Sequence, residues 1–292
     1  MPVIDEYEAT DEIEEIYYDI RQSFRVTGVN LIFRSLAVYD EFFIKMWQEI
    51  QPVVITSQFC EAADRLRLEA TLSAAKLKKD INKEYDLGES QAFQIKDALD
   101  LYHYINPKLL LMVSYLQFAL AEENRNSLSQ SSHSKIILRR IPTDMYPMEM
   151  ISENPNDPVV KKVFKDIKNT LGLKSLNSDY RTLGLWPGYL SKAWMQIKPV
   201  VQSKDYKTAA KELRDRSREL AVSLPISRSG KQIDFSKASN LSKVKKMISY
   251  FEDILPGLIL NIVLFQLDWK SSEQLKTSRF TEAWQNERGY EL

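Results

Sequence analysis

One cysteine, two histidines and eight glycines in 292 residues deny this chain most of the groups that recognisable enzyme chemistries require. The single thiol, Cys60, excludes an internal disulfide and fits a reducing compartment. His103 and His133 stand far apart, and no HExxH, CxxC or paired ExxH motif surrounds them, so zinc and di-iron sites have no ligand set. A Gly-rich phosphate loop is missing, and so is the GxSxG elbow of the α/β-hydrolases. The reading is therefore one without metal and without cofactor.

Charge of one sign is lacking too. Forty basic residues balance 40 acidic ones, which leaves no net field to attract nucleic acid. The short run Lys243-Val-Lys-Lys246 reads as the wet face of a helix. Two apolar runs, Leu109 to Leu120 and Leu255 to Leu267, are interrupted by Ser114 and Gln117, and by Asn261 and Gln266. Both fall short of the roughly 20 residues a membrane span needs, and read as core helices covered on all sides. The acidic start, with Asp5, Glu6, Glu8, Asp11, Glu12, Glu14 and Glu15, is the reverse of a signal or transit peptide. A cytoplasmic location is expected, with no membrane partner.

What the chain does have is a repeat. Phe33-Arg-Ser-Leu-Ala-Val-Tyr39 is echoed 147 residues later by Tyr180-Arg-Thr-Leu-Gly-Leu-Trp186. Over 33–54 against 180–201, eight of 22 positions are identical, where composition alone gives roughly one or two. At the same offset Ile13, Ile16, Tyr17 and Ile20 meet Val160, Val163, Phe164 and Ile167. Near the end of each half, 102–112 matches 251–261 at an offset of 149. Residues 1–124 read as a first helical repeat, 125–154 as a linker, and 155–292 as a second repeat with a C-terminal tail. The polar run from Asn124 to Ser134 opens the linker.

Helix dominates the pattern. Apolar positions recur at three- and four-residue spacing in many segments, and glycine is too scarce for the turns of an all-β fold. Pro52, Pro107, Pro187, Pro199, Pro225 and Pro256 fall at helix starts or kinks. The best strand candidate is Lys135 to Ile141, within the linker. The fold class expected is all-α, two tandem helical repeats forming an intramolecular pseudo-dimer.

Two such halves facing each other would line a shared pocket, made asymmetric only where the copies differ. Asp179 occupies the place of Ile32, and Asn106 is matched by Leu255. A carboxylate and an amide from opposite halves, meeting in an apolar cleft, form a base and a holder for one water. Each also has a structural reading. Asp179 follows Asn177 and Ser178 where a helix N-cap would stand, and Asn106 before Pro107 has the pattern of an N-cap with proline at N1. Trp47, Trp186, Tyr189 and Trp194 read as packing. Arg34 and Arg181, present in both copies, read as salt-bridging or capping groups.

The duplicated all-α chain, Ser178-Asp179-Tyr180 ahead of Leu185-Trp186-Pro187, and Asn106-Pro107-Lys108-Leu-Leu-Leu111 together resemble the group I 2-haloacid dehalogenases. These are the non-stereospecific halocarboxylic acid dehalogenases, and the similarity runs from about Ile13 to Leu267. The resemblance implies a hydrolase that displaces halide from the carbon beside a carboxylate by direct attack of an activated water. It also implies that no covalent ester forms and that both enantiomers react with inversion. It assigns the base to Asp179 and the water-positioning amide to Asn106. The walls would be Val29, Leu31, Tyr180, Ile254, Leu255 and Leu258, with amides near Ser178 holding the substrate carboxylate. A short haloacid and water are the implied partners, and a homodimer the implied assembly.

This sequence departs from the family pattern at three substrate positions. Gly28 stands where a tryptophan is expected, Phe251 where a tyrosine is, and Leu109 where an aromatic is. Each change enlarges the pocket or removes a hydroxyl. Two other classes stay open: a non-catalytic helical protein that binds a small hydrophobic carboxylate, and a peroxidase- or decarboxylase-like helical enzyme. A dithiol peroxidase would need a second cysteine.

Overall fold

The stripe Ile16, Tyr17, Ile20 and Phe24 is buried along one face of α1 (Asp11–Phe24), as its spacing requires. Its counterpart Val160, Val163, Phe164 and Ile167 is buried along α6 (Pro158–Leu171). The computed structural model describes residues 1–78, 85–121, 134–225 and 240–282. Within them the chain is all-α. The remaining helices are α2 (Leu31–Leu36), α3 (Asp40–Val54), α4 (Ser57–Leu77), α5 (Glu89–Ala119), α7 (Ser178–Leu183), α8 (Pro187–Val201), α9 (Lys204–Val222) and α10 (Leu241–Gln266).

The first four helices of each half begin 147 residues apart, from Asp11 and Pro158 through to Ser57 and Lys204. Polar contacts recur at the same offset. Trp47 Nε1 donates to Asp19 at 2.9 Å, and Trp194 Nε1 to Asp166 at 2.7 Å. Arg21 pairs with Glu6 and Lys168 with Glu153. The Ile4 amide donates to the Arg34 carbonyl, as the Ile151 amide does to that of Arg181. Even the left-handed ends agree, at Arg25 (φ 58°) after α1 and Gly172 (φ 65°) after α6. Glycine takes that conformation freely; Arg25 does so while its guanidinium bonds the carbonyls of Arg140 and Thr281.

The two longest helices, α5 and α10, pack on each other in the centre, flanked by α4 and α9. They contain the two apolar runs, and nearly every residue of those runs is buried. By length and composition α10 is apolar enough to cross a membrane, being longer than the run that marks it, but most of its apolar window is buried inside the protein. Val244 is buried between the exposed Lys243 and Lys246, as the wet-face reading of that run requires.

Lys135 to Ile141 does not form a strand. Ile136 makes one antiparallel bridge with Thr56, at the corner between α3 and α4. Helix resumes at Ser57, so no further extended backbone is available there to pair with. Of the polar run opening the linker, only Ser134 lies among the described residues, and His133 lies outside them.

Candidate active site

Pro107 sits inside α5 and has no N–H to give to the carbonyl four residues back. Arg67, fully buried on α4, fills that need: its Nε donates to the His103 carbonyl at 3.1 Å and its Nη2 to that of Tyr104 at 3.2 Å. The helix therefore continues through the proline, and Asn106 is a buried mid-helix residue. The N-cap reading of Asn106 is thereby corrected. Asp179 is the second residue of α7, behind Asn177 in the N-cap position, so it is not the cap either.

Across the two halves, Asn106 Nδ2 donates to Asp179 Oδ1 at 2.7 Å. Asn106 is fully buried and Asp179 is 1% exposed. Burial raises the Asp179 carboxyl to about 7, against the lowering effect of the Asn106 amide and of its own backbone N–H. Asp179 Oδ2 and Asn106 Oδ1 are both buried acceptors without a hydrogen-bond partner among the described residues. A single water donating one proton to each would satisfy both, with its lone pairs turned away from the carboxylate. Near neutral pH such a carboxylate is poised to take a proton from the water as it attacks.

The pair is held by a second polar link between the same helices. The hydroxyls of Tyr102, one turn before Asn106, and Thr182 lie 2.8 Å apart, and Thr182 donates onward to the Glu149 carbonyl at 2.9 Å. Burial raises the Tyr102 phenol well above its ordinary value, and the charge of Asp179 adds to this. Tyr102 therefore stays neutral. Sequence reasoning passed over both residues, although Tyr102 shares a helix face with Asn106.

A cleft of about 170 Å³ is lined by the chain neighbours of the pair, Ile105 and Ser178, and not by Asn106 or Asp179 themselves. Tyr102, Ile105 and Leu109, on the turns around Asn106, line it with Gly28, Val29 and Ser178. Two of the three departures, Gly28 and Leu109, are thus wall residues. The expected walls are not all gathered here. Tyr180, Ile254 and Leu258 line a different cleft, of about 320 Å³, in the second half. Leu31, Phe251 and Leu255 are buried but line neither cleft. The division follows from helix geometry: successive residues turn by about 100°, so Ser178 and Tyr180 leave α7 on opposite sides of Asp179.

The shared arginines serve the fold: Arg34 pairs with Asp5, and Arg181 Nε donates to the Ile151 carbonyl at 2.8 Å. Trp47 and Trp194 are buried packing residues. Burial pushes the Cys60 thiol up to about 11, which removes it as a nucleophile. No group of three or more metal-ligating side chains occurs among the described residues.

An all-α chain with a near-neutral carboxylate beside an orienting amide and a small apolar cleft has the makings of acid–base chemistry on a small substrate. The family described as halocarboxylic acid dehydrogenase DehI matches residues 27–180, a stretch that includes both Asn106 and Asp179. The chain belongs to that family. It is 28% identical over 275 residues to an (R)-2-haloacid dehalogenase of Pseudomonas putida, covering 90% of this chain and 91% of that one. It is 25% identical over 225 residues to a configuration-inverting 2-haloacid dehalogenase of Pseudomonas sp. (strain 113), covering 75% and 73%. A solved structure of D-2-haloacid dehalogenase in complex with L-LA superposes with a TM-score of 0.78 at 24% identity. It covers 91% of this chain and 95% of the other, and shows the same all-α fold.

Proposed function

We propose that the protein is a hydrolase acting on carbon–halide bonds, a 2-haloacid dehalogenase that inverts configuration. The names of its relatives support the reaction class. The Asn106–Asp179 hydrogen bond, with one unpartnered oxygen left on each residue, carries the mechanism. In that mechanism Asp179 takes a proton from a water held by its Oδ2 and by Asn106 Oδ1. The water oxygen forms a bond to carbon 2 as the carbon–halogen bond breaks, and halide leaves with the bonding pair. One backside displacement inverts the centre, and no ester forms on the enzyme.

The cleft suits a short chain, and the burial of Asp179 raises its basicity by withholding water. The two repeats act as an intramolecular pseudo-dimer, and each half gives one member of the pair. Two relatives are named for the (R)-enantiomer, and two for inversion alone. Turnover of both enantiomers is part of the proposal and does not rest on those names; assaying each enantiomer separately tests it. Halide release from (R)- and (S)-2-chloropropionate and 2-bromopropionate, by wild type and Asp179→Asn, is the experiment. Release that the substitution abolishes, with inverted lactate as product, is expected. A well-folded wild type that releases no halide from any of the four overturns the proposal.

A further inference from the structure

The second-half cleft corresponds to the first by the repeat. Leu171, Leu173, Asn177 and Tyr180 stand where the first cleft has Phe24, Val26, Asn30 and Phe33, and Ile254 and Leu258 stand where it has Ile105 and Leu109. Yet the two are chemically different. The second lies on the far side of the α7 N-terminus from Ser178, and none of its lining residues comes from the first half. It also extends along α9, where Lys207, Ala210, Lys211 and Arg214 form one stripe at helical spacing.

Three observations point to a ligand. First, Asn177 is 6% exposed, lines the cleft and makes no side-chain hydrogen bond among the described residues, whereas Asn30 caps α2 by accepting from the Ile32 amide. Second, the rim is cationic. Arg214 Nη1 pairs with Asp253 at 2.7 Å and Lys211 with Asp215 at 2.6 Å, while Arg214 Nε is buried without a hydrogen-bond partner among the described residues, an Asp215 carboxylate oxygen lying 3.8 Å away. Lys207 has no ion pair among the described residues, so positive charge exceeds negative at the mouth. Third, the equivalent stretch of the first half is already occupied. There Phe280 packs on Tyr104, and the Glu282 carboxylate pairs with Lys108 at 2.8 Å. Gly257 stands in the place of Lys108, so no side chain enters the second cleft from that position; the Tyr206 hydroxyl packs on it, 3.0 Å from where a Cβ would be.

We propose that this cleft is a second, non-catalytic site for a small carboxylate with an apolar tail. Leu171, Leu173 and Leu258 take the tail, and the Asn177 amide and the Lys207 and Arg214 cations take the carboxylate. The occupant of the first half, an apolar side chain followed by a carboxylate, has the same chemistry.

The site stands on its own cleft and does not depend on the dehalogenase reading. A butyrate with a terminal trifluoromethyl group has no 2-halogen, is not consumed, and reports binding by fluorine NMR. In Gly28→Trp protein, whose first cleft is filled, saturable binding is expected to persist. Adding Ala210→Trp, which fills the second cleft from α9, or Lys207→Glu, which reverses charge at an exposed position, is expected to weaken it by at least about tenfold. Circular dichroism and the unfolding midpoint establish that each variant is folded. Loss of binding in Gly28→Trp alone, or binding indifferent to both second-cleft changes, overturns the proposal. Halide release reads the first cleft only, so the two readings fail separately.

Discussion

Asn106, at the middle of α5, reaches across the two halves of the chain to give its amide N–H to Asp179 on α7, 2.7 Å away. That bond joins two buried polar residues that the repeat places opposite isoleucine and leucine, at Ile32 and Leu255. It holds one carboxylate oxygen and leaves the other for a water.

Asp179→Asn keeps the shape and the contact but removes the base. Halide release is expected to fall by about 10²–10⁴-fold, the usual worth of a general base. Steady-state assays alongside an unfolding curve check this: an equally stable, inactive variant is the expected result, and a variant retaining most of its activity refutes the role.

The rate is expected to rise with pH through about 7, because the ionised form of Asp179 is the active one. Stability runs the other way. The folded pKa lies above the ordinary carboxylate value of 3.8, so folding retains a proton the unfolded chain releases. The stabilisation is complete below that value and is lost as pH rises through about 7. Denaturant midpoints between pH 4 and 8 should show this decline, reduced in Asp179→Asn.

Asn106→Ala removes an interaction that lowers the Asp179 pKa. The midpoint of the pH–rate profile is expected to move upward, and the rate at neutral pH to fall by at least about tenfold as the water loses its second acceptor. A profile unchanged in position would assign Asn106 a purely structural part.

Lys108 is buried and bonded to both Tyr104 and Glu282. Lys108→Met leaves the Glu282 carboxylate without its partner, and a loss of about 3–5 kcal/mol is expected. Combining it with Glu282→Leu should recover much of that loss. Urea titration of the two variants measures the difference.

Gly184, which caps α7, faces Ile151 and Phe164, each with an atom 2.6 Å from where a Cβ would stand. Its counterpart in the first half is Ala37. Gly184→Ala should destabilise by about 1–3 kcal/mol through overpacking, while Ala37→Gly creates no clash. Thermal unfolding of the two variants separates them.

Much of this was legible in the sequence. Ile16, Tyr17, Ile20 and Phe24 announced a helix because burial of one face imposes a period that composition preserves. The 147-residue echo announced that this helix and its neighbours occur twice. The differences at Ile32 and Asp179, and at Asn106 and Leu255, singled out the polar pair. The walls were harder to read, because Ser178 and Tyr180 are near neighbours in sequence yet face different clefts. Asn106 before Pro107 looked like a helix start, since no sequence signal shows that Arg67 supplies the donor the proline lacks.

The sequence by itself determined which residues are apolar, where they recur, and which positions break the symmetry of the repeat. Those properties are local and additive along the chain. Only the tertiary structure decided that Asp179 is buried, that its partner is Asn106, and that its carboxyl is raised to about 7. Desolvation and hydrogen bonding depend on what surrounds a group in space. The groups that surround Asp179 come from helices more than seventy residues apart, brought together by the packing of α5 and α7.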